Sequence, residues 1–156
     1  MFASRRLPAR LPAFFVAFLL LFLLTVSTVH AREMVSVARD EINMRSGPGT
    51  RHAVQWALGK GYPLTVVGRQ GQWLHVSDFE RDRGWVLRSL TNRTPHHIVK
   101  AKVANLRGSP STRGRLVGKA SYGDVLRTVA RRGDWVQVRT ERGMQGWIAS
   151  RLLWGF

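Results

Sequence analysis

Four tryptophans carry the chemistry this chain can offer. Trp73 and Trp135 each follow a short glycine turn, Gly71-Gln72 and Gly133-Asp134, while Trp85 and Trp147 directly follow Gly84 and Gly146. An indole presents a flat stacking area and one N–H donor, which suits a sugar ring or an extended peptide. Arginines stand among them, and a guanidinium meets a carboxylate through two parallel hydrogen bonds. The equipment of catalysis is missing from the pattern. There is no cysteine, and no Ser-His-carboxylate set or carboxylate pair recurs along the chain. Asp78, Glu80 and Asp82 cluster around Arg81 and Arg83 and read as surface charge. A metal site needs three or four ligands in a defined geometry, which His52, His75 and the adjacent His96-His97 do not supply. The residues indicate recognition, with no enzyme activity, no cofactor and no metal expected.

These tryptophans occur in duplicate. Asn43-Met44-Arg45 returns 62 positions later as Asn105-Leu106-Arg107, and Pro48, Thr50 and Arg51 return as Pro110, Thr112 and Arg113. Gly71-Gln72-Trp73-Leu74-His75-Val76 returns as Gly133-Asp134-Trp135-Val136-Gln137-Val138, and Gly84-Trp85-Val86 as Gly146-Trp147-Ile148. A constant offset through so many positions means two copies of one fold. Neither copy can rely on disulfides, so each needs its own apolar core.

The elements that must position the tryptophans are strands. In Trp73-Leu74-His75-Val76-Ser77 the apolar residues alternate, which puts Leu74 and Val76 on one face and Trp73, His75 and Ser77 on the other. Val136 and Val138 face inward in the second copy, with Trp135, Gln137 and Arg139 outward. Leu64–Val67 and Val125–Val129 read as preceding strands, Gly84–Leu87 and Gly146–Ala149 as following ones, and the glycine pairs as hairpin turns. Short strands punctuated by Gly and Pro, without helical periodicity, predict an all-β protein of two small barrels.

Asn43-Met44-Arg45-Ser46-Gly47-Pro48-Gly49-Thr50, then Gly-Gln-Trp-Leu-His-Val and Gly-Trp-Val, closely resembles the bacterial SH3-like (SH3b) family. The resemblance runs from about Met34 to Leu153 and implies two SH3-like β-barrels in tandem. It places Trp73 and Trp135 at the exposed groove tryptophan of SH3 domains, and the Ser46–Arg51 segment at the long loop bordering the groove. Pro48 and Pro110 then set loop backbone, Arg51 and Arg113 are candidates for ligand contact, and Arg45 and Arg107 brace the fold. Trp85 and Trp147 join the candidate ligand residues, although a position at the start of a strand suits packing better. The second copy departs where Gly47 and Gly49 become Ser109 and Ser111, so its loop is expected to differ in shape or ligand.

The domain boundaries expected are a signal peptide at 1–31, a first domain at 32–91, a linker at 92–97 and a second domain at 98–156. The leader reading rests on Arg5, Arg6 and Arg10, the apolar run Ala13–Leu24 and the closing Val29-His30-Ala31. That run is shorter than the ~20 residues of a spanning helix, so cleavage and a periplasmic or secreted location are expected, with no transmembrane span afterwards. Of 25 basic residues, 3 lie in the leader, so 22 stand against 9 acidic ones, a net charge of +13. Such a charge draws polyanions. Export argues against nucleic acid and for peptidoglycan or another anionic envelope polymer. The alternative partner is an envelope protein, held by the two grooves or by the apolar tail Leu152-Leu153-Trp154-Gly155-Phe156. That tail is expected to finish the last strand and pack on the neighbouring domain.

Overall fold

The computed structural model describes residues 32–156, so the expected leader lies outside the described residues. The first repeat forms β1 (Met34–Val37), β2 (Glu41–Arg45), β3 (Val54–Gly59), β4 (Pro63–Gln70), β5 (Trp73–Ser77), β6 (Arg83–Leu87) and β7 (Thr91–Asn92). The second forms β8 (His96–Val99), β9 (Val103–Arg107), β10 (Leu116–Ser121), β11 (Val125–Arg132), β12 (Trp135–Arg139), β13 (Gln145–Ala149) and β14 (Leu153–Gly155). Two 3₁₀ turns, Arg88–Leu90 and Ser150–Leu152, precede β7 and β14. Among the described residues there is no α-helix. Each repeat is one seven-stranded antiparallel sheet, in the orders β3-β2-β6-β5-β4-β1-β7 and β10-β9-β13-β12-β11-β8-β14. The all-β, two-barrel expectation holds.

Local chemistry explains the hairpins. Gly71 and Gly133 adopt φ of 57° and 55°, a left-handed conformation that glycine takes without a Cβ penalty, and they turn β4 into β5 and β11 into β12. β4 and β11 each carry an extra residue, the register shifting between Val66 and Gly68 and between Thr128 and Ala130. Such bulges strengthen the twist that curls a small sheet onto itself.

Each repeat then buries its own core. Met44, Leu64, Leu74, Val76 and Val86 fill the first, and Leu106, Leu126, Val136, Val138 and Ile148 fill the second. Full burial of such a side chain is worth roughly 1.5–3 kcal/mol. Gly84 is needed for this packing: a Cβ there would lie 2.5 Å from Met44 Cγ and 3.0 Å from the Arg45 carbonyl oxygen. Residues 32–156 form one compact unit containing both cores complete.

The stretch 92–97 is mostly not a free linker. Asn92 pairs with Ser36 in the first sheet, and His96 and His97 pair with Arg127 and Leu126 in the second. Only residues 93–95 lie between strands, because the polar residues of the edge strand β7 and of the interior strand β8 satisfy their backbone through the ladder. The apolar tail finishes the last strand: Leu153–Gly155 pairs with His97–Val99 of its own domain, and Leu153 joins that core.

The domains touch through named contacts. Ser36 Oγ donates to the Thr94 carbonyl at 2.9 Å, and His96 Nδ1 lies 2.9 Å from the same oxygen. The His96 ring fills the space above Gly61, where a Cβ would be 2.8 Å from it. Tyr62, Phe79 and Tyr122 form a tilted aromatic chain with centroids 6.3 Å and 5.4 Å apart, and the Tyr122 hydroxyl donates to Glu80.

Candidate functional site

The face opposite each core is where the tryptophans stand. β5 buries Leu74 and Val76 and turns Trp73, His75 and Ser77 outward, each half-buried. Register sets their neighbours: Trp73 lies opposite Leu87, His75 opposite Trp85, and Trp85 opposite Arg45. The His75 and Trp85 rings stack with centroids 4.7 Å apart and planes inclined by 15°. One outward row therefore runs Arg45–Trp85–His75, with Trp73 two residues further along β5. In the second domain the row is Arg107–Trp147–Gln137, with Trp135 beside it. Trp85 and Trp147 share this face with Trp73 and Trp135 and are half-buried on it.

The loop bordering the row is tied to it by arginine. Arg45 Nη1 donates to the carbonyls of Thr50 at 3.1 Å and His52 at 2.9 Å. Arg107 Nη1 donates to the Gly114 carbonyl at 2.9 Å. Both arginines thus brace the loop while lying beside the tryptophan of β6 or β13. Pro48 and Pro110 are half-buried in these loops, whereas Arg51 and Arg113 project into solvent.

The two loops share one backbone, contrary to the expected difference in shape: the amides of Ser46, Gly49 and His52 donate to the carbonyls of Ala53, Gly47 and Gly49 just as those of Gly108, Ser111 and Gly114 donate to Arg115, Ser109 and Ser111. They differ in side chains. Glycine has changed ends: the first has Gly47 beneath His52, the second Ser109 against Gly114. A Cβ on Gly47 would lie 2.5 Å from the His52 ring, and one on Gly114 would lie 2.6 Å from Ser109 Oγ.

Several residues take roles that periodicity did not reveal. Asp78 is not surface charge. It is 7% exposed, and its Oδ1 accepts from the amides of Glu80 at 3.0 Å and Asp82 at 2.8 Å, folding the β5–β6 loop. Burial raises its pKa despite those two bonds. Trp56, which has no counterpart in the second repeat, is 52% exposed on the edge strand β3. Its equivalent, Gly118, lies under Met144, whose sulfur occupies the space of a Cβ.

His97 is 3% exposed. Arg131 Nη2 donates to its Nε2 at 2.9 Å, so the ring proton sits on Nδ1, 2.6 Å from Thr128 Oγ1. Burial first, and then Arg131, lower its pKa to about 4. At the first domain's entrance Glu33 pairs with Arg69 and Arg93, and the Arg69 hydrogen bond chiefly lowers its pKa.

Two related family models, both described as bacterial SH3 domain, match residues 38–92 and 102–153. Between them they cover both tryptophan faces and both loops. The chain belongs to the bacterial SH3 domain family. Its two SH3 domains are similar to part of the candidate N-acetylmuramoyl-L-alanine amidase YrvJ of Bacillus subtilis (strain 168), 23% identical over 138 residues. That alignment takes in 81% of this chain and 26% of the relative, so the chain spans about a quarter of its length.

Among solved structures, NlpC1 of Trichomonas vaginalis aligns at 14% identity and a TM-score of 0.35, covering 81% of this chain and 47% of that one. An NlpC/P60 family protein of Bacillus cereus ATCC 10987 aligns at 13% identity and 0.36, covering 80% and 56%. Among the described residues no helix is long and apolar enough to cross a membrane.

Proposed function

We propose that the chain is a non-catalytic binding module working outside the cytoplasm on peptidoglycan, through the outward tryptophan face of each SH3 domain. Trp73 and Trp85 in the first domain, and Trp135 and Trp147 in the second, supply stacking area for sugar or peptide planes. Arg51 and Arg113, exposed at the loop tips beside Pro48 and Pro110, supply bidentate partners for carboxylates. The observation that carries this reading is one aromatic face built twice, with the same bracing arginine, in a chain matched as bacterial SH3 domain in both halves. A relative named as a candidate N-acetylmuramoyl-L-alanine amidase, aligned across 81% of the chain, favours that polymer over other polyanions.

A second reading, an adaptor for an envelope protein, draws on one feature. Trp56 is exposed on β3, an edge strand of the first sheet, where the second domain has Gly118, while the exposed Val54 is matched by Leu116 on the edge strand β10. An edge strand with exposed apolar residues is a template for another chain.

The test is co-sedimentation of residues 32–156 with purified insoluble peptidoglycan at low and high salt, beside Trp73→Ala/Trp135→Ala. Wall binding through these faces predicts retention that the double substitution abolishes and that salt weakens, as screening of exposed charge requires. Protein left in the supernatant at low salt would overturn the reading and turn attention to Trp56.

A further inference from the structure

We infer that the groove between the two domains is a separate binding site, for a zwitterionic peptide segment held by Arg127 and Arg139. The groove measures about 1110 Å³ and is lined by both domains and by Thr94 and His96 where the chain crosses between them. That is far too large for a single ion and is at the upper end of sites that take small molecules.

Its wall places two arginines side by side, and of the two only Arg139 has a side-chain partner among the described residues, Gln145 Oε1, to which its Nη2 donates at 3.1 Å. Arg127 and Arg139 are direct cross-strand partners on β11 and β12, and His96 on β8 is the next partner of Arg127. Like charges placed directly opposite in a ladder are destabilising. Arg127 is also among the causes that lower the His96 pKa. The corresponding row of the first domain, Met34–Thr65–Ser77–Arg83, holds one charge and no such pair. The fold therefore does not require arginine at these positions. The pair occurs only where the second domain faces the first.

The character of the ligand follows from the rest of the lining. Lys60, Lys119 and Arg142 add further positive charge, but Asp40, Asp124 and Glu141 stand among them. Asp40 is engaged by Lys60 at 3.3 Å, while Glu141 makes no ion pair among the described residues. Three carboxylates would repel a dense polyanion such as polyphosphate. A peptide carrying both carboxylates and amino groups matches the pattern: its carboxylates meet the paired guanidiniums bidentately, and an ammonium meets Glu141. The wall-binding reading enters only as the source of such a peptide, since peptidoglycan bears peptides on its glycan. The site needs both domains, so the two repeats share one ligand here in addition to presenting two faces.

The decisive variant is Arg127→Thr/Arg139→Ser, which installs the first domain's own residues. Lys100→Ser/Lys102→Ser removes the same charge from exposed positions outside the groove. Residues 32–156 are titrated with soluble peptides released from sacculi, with amide NMR shifts as the readout and polyphosphate as a second probe. The expected result is shifts at Arg127, Arg139 and Thr140, with affinity at least about tenfold weaker in the arginine variant and within about twofold in the lysine control. The arginine variant should melt close to the parent, since relief of the repulsive pair offsets loss of the exposed hydrogen bond that Arg139 Nη2 donates to Gln145 Oε1 at 3.1 Å. Equal losses in both variants, stronger binding of polyphosphate, or shifts confined to the tryptophan faces would overturn the inference. Groove shifts with soluble peptides but no retention on insoluble peptidoglycan would sink the wall reading and leave the site standing.

Discussion

The imidazole of His52 lies over Gly47 so closely that a Cβ on the glycine would be 2.5 Å from the ring. Ser109 and Gly114 invert the arrangement in the second domain. Serine at position 47 should therefore be costly only while His52 is present. Gly47→Ser is expected to destabilise by about 1 kcal/mol, within the range for overpacking, and His52→Gly to relieve most of that loss. A double-mutant cycle of thermal unfolding reads the coupling; additive effects would mean that the loop absorbs each change independently.

Gly84→Ala is expected to be more damaging than Gly146→Ala. The new Cβ at 84 meets Met44 Cγ at 2.5 Å, the end of the Gln55 side-chain amide at 2.8 Å and a backbone carbonyl at 3.0 Å, whereas that at 146 meets nothing closer than 3.0 Å. Losses of roughly 2–3 and 1 kcal/mol follow from the typical cost of forcing a methyl into a packed site. Denaturant midpoints of the two variants test the order, and the reverse order would contradict the packing described.

Acid should unfold the second domain before the first. His97 stays neutral in the folded chain down to about pH 4, while an unfolded histidine takes up its proton near pH 6.5. The unfolded state thus binds the extra proton between those values. The contribution is fully present above about pH 6.5 and is lost as pH falls toward 4, amounting to about 3 kcal/mol at most. His97→Val, the residue at the matching Val35, should flatten most of this dependence in melts at pH 7 and pH 4.5. His96, also held below its usual pKa by burial, would account for what remains.

Tyr122 is expected to control how firmly the domains hold each other. Tyr122→Ala removes both the Phe79 ring contact and the bond to Glu80, whereas Tyr122→Phe keeps the ring. An aromatic pair is worth about 0.5–1.5 kcal/mol beyond its buried area. Backbone NMR relaxation should show the two domains tumbling more independently in the alanine variant and close to the parent in phenylalanine. Independent tumbling in the parent itself would contradict the docked arrangement.

Alternation along β5 and β12 sufficed to place Leu74, Val76, Val136 and Val138 inside and the tryptophans outside, because a strand's period of two is set by its backbone alone. The glycine turns were legible for the same reason. Partnership across strands was not. The stacking of His75 on Trp85 depends on which residue of β6 lies opposite which of β5. The row His96–Arg127–Arg139 joins three strands distant in sequence. Asp78 and His97 misled in another way: polar letters suggest solvent, yet both are buried and satisfied by neighbours, two loop amides for one and Arg131 with Thr128 for the other. Polarity in 92–97 likewise hid strands whose partners lie far off in sequence.

Both sheets close by pairing their opening strand with their final one, Ser36 with Asn92 in the first and Ile98 with Trp154 in the second. The polypeptide accordingly enters and leaves each domain at the same corner, like thread through a bead. A further bead can be strung, or one removed, without rethreading any sheet and with a spacer as short as residues 93–95. A tandem duplication of 62 residues would have yielded a second folded unit in one genetic step. Divergence afterwards was free to work on the surface where the beads touch, where Arg127 and Arg139 of the second copy hold the places of Thr65 and Ser77 in the first.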